Sequence, residues 1–349
     1  SFDSSAAQNI GQPLRRKEDQ RLLTGAGQFS DDFSLPGQAH AAIVRSPYPH
    51  AIISNIDKSA ALSLPGVLAV ITGRDLHRYG IKAIPHSPVP STKYDLKLTA
   101  PGGAKALIDD HYLLPLDRVR HVGEGVAIVI AENLQTALDG VELVKVEYQE
   151  LPHVTHSKSA IMPDAPILHE GMENNVLIDT TFGDKDATEA AFSKAAHVVE
   201  HEFHIQRVTG VTMEPRSALG DYDTETGQFS LIAGSGGAVR QRNELATVLA
   251  VDPSKLRVLS PDVGGNFGTR NRVYVEFGLV LFAARQLGRP VKFTATRSES
   301  FLTDYQGRDL VTRIALALDQ EGKFVGLKCD NLSNVGSHCV SLSPLGKGS

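Results

Sequence analysis

The apolar positions of this chain come first in short bursts closed off by turn residues. AHAAIVRS (39–46), AIISNID (51–57), GVLAVITG (66–73), VGEGVAIVIA (122–131) and VELVKVEYQEL (141–151) are rich in Val, Ile and Ala. Such runs favour strands, because branched side chains pack well on a pleated, half-buried surface. Between the last two, residues 133–144 switch to the period of a helix. The stretch 21–150 therefore predicts a compact α+β domain, preceded by a polar tail over 1–20 that wraps the surface.

Residues 151–177 are rich in Pro, His and small polar residues and hold no sustained period, which predicts an interdomain linker. From 178 onward helical and strand periods alternate. The pattern predicts a helix over 187–195, strands over 197–206, 218–222 and 228–233, a helix over 239–249, a strand over 255–259 and a helix over 273–287. Two alternating runs then flank DQEGK (319–323), which reads as a hairpin turn. The sequence stops soon after the second run, on SPLGKGS, so the second domain, 178–349, is expected to be incomplete.

Composition narrows the function classes. The chain of 349 residues has room for two cores, and its 35 basic and 40 acidic residues are mixed along it, so no nucleic-acid-binding face is expected. The longest apolar runs, 126–131 and 279–284, are too short to span a bilayer. Cys329 and Cys339 are the only cysteines, too few for an iron–sulfur cluster. Any redox relay is therefore expected on other chains. Arg15-Arg16 lacks the apolar stretch that follows a twin-arginine export signal, and a cytoplasmic protein is expected.

Three motifs carry candidate chemistry. HVVEHEFH (197–204) matches the inverted zinc-peptidase signature His197-x-x-Glu200-His201, which would make the chain a zinc hydrolase. That reading needs a helix, however, and Val199, Phe203 and Ile205 alternate as in a strand. PDVGGNFGTRN (261–271) lies between a strand and a helix, and Gly264, Gly265 and Gly268 would let backbone approach an anionic or pterin-like cofactor. As a bare motif it is equally a tight turn that only packs. GSGG (234–237) makes a second glycine turn ahead of a helix, and it is not a dinucleotide fingerprint.

Taken together the chain resembles the large, molybdopterin-binding subunit of the xanthine dehydrogenase, aldehyde oxidase and carbon monoxide dehydrogenase family, the molybdenum hydroxylases. The resemblance rests on GQPLRRKEDQRLLTGAGQFSDDF, RSPYPHAIISNIDKSAALSLPGVLAVITGRDL and HVGEGVAIVIAENLQTALDGVELVKVEYQELP, followed by TMEPRSALGDYD, SPDVGGNFGTRN and GRPVKFTATRSESFLTDYQGRD, in that order. It implies an α/β-hammerhead-like domain over 21–150 and the first part of a molybdopterin-binding domain over 178–349. It also implies hydroxylation of an aldehyde or N-heteroaromatic carbon with oxygen from water. The cofactor implied is molybdopterin with molybdenum, free or as its cytosine dinucleotide.

Residue by residue, the resemblance places Gln206 beside an oxo ligand of the metal, and the backbone of Phe267 and Gly268 beside the metal and its dithiolene. Arg308 matches an arginine that faces substrate in purine-oxidising relatives. Gly264 and Gly265, with Gly234 and Gly236, are the expected cofactor-binding glycines. Without the resemblance these are a strand-surface amide, a packed turn and a solvated arginine. Gly234-Ser235-Gly236 stands where the family often has Ser-Thr-Gln, and Asn266 replaces a glycine. Asn271 stands at a glutamate of xanthine-oxidising members, which argues against xanthine. The family's large subunit is about twice as long and carries its catalytic glutamate in the C-terminal half. The expected partners are therefore that half or a second molybdopterin-domain chain, an iron–sulfur subunit with 2Fe–2S clusters, a FAD subunit and a small-molecule substrate. A non-catalytic assembly subunit is the remaining alternative.

Overall fold

The computed structural model describes residue 11, residues 13–86, residue 88 and residues 97–340, so most of the polar tail and the SPLGKGS ending fall outside the described residues. In chain order the first part holds α1 (Asp19–Leu23), β1 (Ala39–Arg45), β2 (Ala51–Asp57), α2 (Ser59–Leu62), β3 (Val67–Thr72) and α3 (Gly73–Arg78). It continues with β4 (Arg118–Val119), β5 (Gly125–Ala131), α4 (Leu134–Leu143) and β6 (Lys145–Glu150). The linker-like stretch carries one short helix, α5 (Ser157–Ala160). Then follow α6 (Lys185–Lys194), β7 (His197–Thr209), β8 (Ser217–Asp223), β9 (Gln228–Ala233), α7 (Ala238–Leu249) and β10 (Leu256–Leu259). The last elements are α8 (Val275–Leu287), β11 (Val291–Thr294), α9 (Arg297–Thr303), β12 (Gln306–Leu318) and β13 (Phe324–Ser333).

Every residue of β5 is buried, and its two faces feed different cores. Ile128 and Ile130 join the larger cluster, while Val126, Ala127 and Val129 join a smaller one with Val44, Ile53 and Val119. An all-apolar run therefore marks a strand covered on both sides. The helix α4 crosses behind it, started by Asn133, whose side chain accepts the backbone N–H of Thr136 at 2.9 Å. Gly140 lets α4 close in, since a Cβ there would lie 2.8 Å from Cγ1 of Val129.

The main sheet has seven strands in the order β10-β9-β8-β11-β1-β5-β3. Strands from both parts of the chain thus share one sheet, joined where Ala39, His40 and Ala41 pair in parallel with Val291, Lys292 and Phe293. On one face of it lies α8, buried along nearly its whole length and resting on β8. Two three-stranded antiparallel sheets complete the fold, β4-β2-β6 and β13-β12-β7. Mixed helix and sheet of this kind agree with the α+β expectation.

The HVVEHEFH motif lies within β7, which pairs with β12 along its length, including His197 with Leu318 and His201 with Ile314. On a strand, residues four apart are roughly 13 Å apart, so His197 and His201 cannot close on one zinc ion. Among the described residues no helix is long and apolar enough to cross a membrane.

Candidate functional site

Glu214, in the MEPR stretch, ties three distant pieces of chain together. Its buried carboxylate accepts the backbone N–H and the hydroxyl of Ser30, at 3.2 and 2.7 Å, through one oxygen. The other oxygen accepts the backbone N–H of Gly264 at 2.8 Å and lies 3.6 Å from the guanidinium of Arg270. Fully buried Arg270 also donates to the Thr212 hydroxyl at 2.9 Å and to the Glu214 carbonyl. A buried carboxylate is tolerated because each oxygen finds donors. The segment before β1 is held from the same side: Arg21 pairs with Asp262, and the Gln28 N–H donates to Asp262 at 2.8 Å.

This knot brings the two glycine turns together. A Cβ on Gly264 would lie 2.4 Å from that of Glu214, and one on Gly234 would lie 3.1 Å from Arg270. Gly236 donates its N–H to the Arg270 carbonyl at 2.9 Å, and a Cβ there would stand 1.9 Å from the Asn271 amide oxygen. That oxygen accepts from the Asn266 amide at 2.9 Å, so Asn266, in place of a glycine, laces the second turn to its own far end. Gly234, Gly236 and Gly264 thus serve close packing.

Gly268 is different. Its φ is +88° and, among the described residues, nothing lies within 4 Å of the position a side chain would occupy. Phe267 beside it also has a positive φ, 48°, and its ring is 76% exposed. Phe267 and Gly268 line an open cleft of about 1260 Å³, whereas Gly234, Gly236, Gly264 and Gly265 do not. The helix expected directly after this turn begins later. A 3₁₀ turn at Thr269–Asn271 intervenes, and the first turn of α8 holds a carboxylate of its own, Glu276. Only the 234–237 turn runs straight into a helix N-terminus, that of α7, where Gly237 is the N-cap.

Arg308 also lines the cleft, next to Gln306 and Arg207. It pairs across the sheet with Arg207, the residue after Gln206, so Gln206 stands opposite Asp309. Arg308 and Asp309 both have positive φ, 68° and 59°, a conformation that costs side-chain-bearing residues energy and persists only when fixed by neighbours. The Asp309 carboxylate supplies that fixing, accepting from Arg207 at 3.1 Å and from the Asn334 amide at 2.8 Å. Gln206 is exposed on β7 and does not line the cleft.

Beneath the cleft lies a buried charge network that the sequence pattern does not single out. Arg216 has no solvent exposure; it donates to both carboxylate oxygens of Glu276, at 3.2 and 2.7 Å, to Thr303 at 2.8 Å and to Asp304. Its guanidinium stacks 4.3 Å from the centre of the Tyr274 ring. Burial by itself would raise the pKa of Glu276, but Arg216 and then Arg45 outweigh it and carry it down to about 2. MEPR was legible as a motif, yet only long-range pairing gives Glu214 and Arg216 their roles.

Two family profiles match the chain, the aldehyde oxidase and xanthine dehydrogenase a/b hammerhead domain over residues 24–152 and the molybdopterin cofactor-binding domain over residues 168–346. Carbon monoxide dehydrogenase large chain from Hydrogenophaga pseudoflava is 32% identical over 94% of this chain. Nicotine 6-hydroxylase large subunit from Paenarthrobacter nicotinovorans is 35% identical, again over 94%. The crystal structure of quinoline 2-oxidoreductase from Pseudomonas putida 86 superposes with a TM-score of 0.82 at 33% identity, over 92% of this chain and 39% of its own. The chain spans 40% and 38% of the two curated relatives.

Proposed function

The chain belongs to the molybdenum hydroxylase family, matching the N-terminal part of the large subunit, and from that premise we propose that it forms one wall of a molybdopterin site. The enzyme it serves would hydroxylate an aldehyde or N-heteroaromatic carbon. When bound, the molybdenum cofactor supplies two-electron oxidation of the substrate carbon with oxygen drawn from water.

The observation that carries this reading is Gly268. Its left-handed backbone lines the cleft, with its N–H held by the Asn266 side-chain oxygen at 2.9 Å, at a point where a side chain would meet no other described residue. The two glycine turns behind it are locked by Glu214 and Arg270, so this edge is preorganised. The cleft offers cations to an anionic ligand on this side: Arg207, Arg240, Arg272 and Arg308 line it, the first two paired with Asp309 and Glu244, while Asp109, Glu124, Glu276 and Asp304 line it as well. Arg240 belongs to the first turn of α7, whose partial positive charge would add to the same field.

In this reading Phe267 and Gly268 hold the dithiolene end, Gln206 offers an amide to an oxo ligand once a completing chain closes over β7, and Arg308 orients substrate. Asn271 is neutral and spends its carbonyl on Asn266, which disfavours xanthine. The electrons leave through 2Fe–2S and FAD subunits, the cofactor is molybdopterin or its cytosine dinucleotide, and the assembly works in the cytoplasm. The C-terminal half of the family's large subunit, or a second chain carrying it, brings the base. The domain limits proposed are 21–150 and 178–349, with 151–177 as linker.

The test is molybdenum content and steady-state kinetics of the purified assembly. Gly268→Val should lose most of its molybdenum while the chain still folds, with a melting temperature lowered by the strain any side chain meets at φ +88°. Gln206→Ala should keep the metal but slow turnover by about 10- to 1000-fold, as when a preorganised donor is lost. Arg308→Ala should raise KM with little change in kcat if it orients substrate. Full metal and full rate in Gly268→Val would overturn the pocket, and an assembly with molybdenum but no turnover would favour the non-catalytic role.

A further inference from the structure

On another wall of the cleft lies a group of histidines and carboxylates that the proposed function leaves unused. His121 and Glu124 belong to the turn that leads into β5, and His338 comes from the segment after β13. One donor atom from each lies within 4.8 Å of the other two. His121 Nδ1 is 3.6 Å from Glu124 Oε2, and His338 Nε2 is 3.6 Å from Glu124 Oε1. Hydrogen bonds would close these gaps to about 2.7–3.0 Å. Two donors sharing one tetrahedral cation at about 2.0–2.1 Å stay roughly 3.4 Å apart, close to what is seen.

The imidazole of His338 is the second observation. Its side chain is only 6% exposed, and among the described residues neither ring nitrogen has a hydrogen-bond partner. Buried polar atoms are almost always satisfied, so an imidazole with two idle nitrogens asks for a ligand. Its Nε2 looks toward Glu124, while Nδ1 faces the Asp109 carboxylate at 3.7 Å. Asp109 is in turn 3.1 Å from His169 Nδ1. A carboxylate behind a ligating histidine is the usual device for orienting it toward a metal. His111 stacks on the same ring at 4.2 Å and 9°, which fixes its plane. Two neighbours already touch donor atoms of the group, and the contact of Ser337 with His121 would give way to the metal. Glu124 Oε2 also accepts the Arg120 backbone N–H at 2.6 Å, Ser337 Oγ lies 3.2 Å from His121 Nδ1, and Arg45 is neutralised by Glu276 and Glu299.

We propose that His121, Glu124 and His338 form a site for a divalent transition-metal ion of the zinc class, bound by two imidazoles and one carboxylate with a fourth position open to the cleft. The ion pins the turn before β5 to the segment after β13, which are distant in sequence. The site stands whether or not the molybdopterin reading holds.

The experiment titrates the chelator-treated full chain, in its purified assembly, with cobalt(II) and follows visible absorption. One equivalent should bind with the intense bands of a tetrahedral site and be displaced by zinc(II). Glu124→Gln and His338→Ala should each weaken cobalt binding by about a hundredfold, and His169→Ala, which acts through Asp109 and through the Ser337 carbonyl, by about tenfold. His197→Ala with His201→Ala should bind as the wild type does, and molybdenum content should be the same throughout. Wild-type protein that takes up no stoichiometric cobalt overturns the proposal without reference to any variant. So does undiminished affinity in a folded Glu124→Gln.

Discussion

Arg216 and Glu276 show how one buried pair sets an acid limit. The carboxylate titrates at about 2 in the folded protein, against about 4.3 in an unfolded chain. Between those values the unfolded chain binds more protons, so the stability this group contributes is complete above about pH 4.3 and fades as pH falls toward 2. Removing one partner leaves the other charge buried, a change that typically costs about 3–5 kcal/mol. Glu276→Gln is therefore expected to melt well below the wild type at pH 7. It should also lose less on acidification, because the titrating group has gone. Melting temperatures measured from pH 7 to pH 3 check this, and parallel acid slopes for the two proteins would refute it. The residues that matter at this scale were unevenly legible. The glycines of 234–237 and 264–268 announce themselves, because Gly234, Gly236 and Gly264 sit where a Cβ would crowd a neighbour and Gly265 and Gly268 where φ is positive. Glu214, Arg270 and Arg216 do not, because a charge in a sequence looks solvated until its partner, tens to hundreds of residues away, is placed beside it.

Among elements, the hydrophobic period located the longer strands and helices with errors at their ends, while the short α1, α2, α3, α5, α9 and β4 carry too few residues to show a period and were missed. The helix expected over 273–287 starts at Val275 because the 3₁₀ turn at Thr269–Asn271 and the N-cap Tyr274 take up the intervening chain. The strand expected over 197–206 runs on to Thr209, since β12 continues to pair with it. Pairing itself was not legible: nothing local tells β1 to lie beside β11, and that contact makes one sheet of two sequence blocks. Gly220 on β8 shows what such packing demands. A Cβ there would lie 2.8 Å from the carbonyl carbon of Val280 and 2.9 Å from the backbone nitrogen of Leu281, so α8 would have to move bodily away. Gly220→Ala should cost on the order of 1–3 kcal/mol, the range for overpacking a core. By contrast His197→Ala with His201→Ala, on an exposed strand, should change stability by no more than about 1–2 kcal/mol. Denaturant midpoints of the two variants compare them directly, and a larger loss in the histidine pair would contradict the packing argument.

For the whole molecule the decisive surface is the sheet β13-β12-β7. Val199, Phe203 and Ile205 point to one side of β7 and Val198 and Val208 to the other, and all five are exposed. Phe324 and Leu327 on β13 are 73% and 60% exposed, and Phe267 stands out from the cleft wall. Single exposed apolar residues are ordinary, but a cluster of this size on one sheet marks a surface that other protein covers. These two curated relatives are more than twice as long as the chain, and a polypeptide carrying the rest of such a length would be able to cover this sheet. Isolated chain should therefore bind a hydrophobic dye and self-associate as its concentration rises, while co-expression with a polypeptide equivalent to the rest of the large subunit should suppress both. Replacing Val199 and Phe203 by Thr should reduce self-association with little change in melting temperature, because neither side chain contributes to the buried cores. Sedimentation velocity across a wide concentration range decides it. A single monomeric species with no dye binding would mean that this sheet is content in water, and that the proposed partner does not cover it.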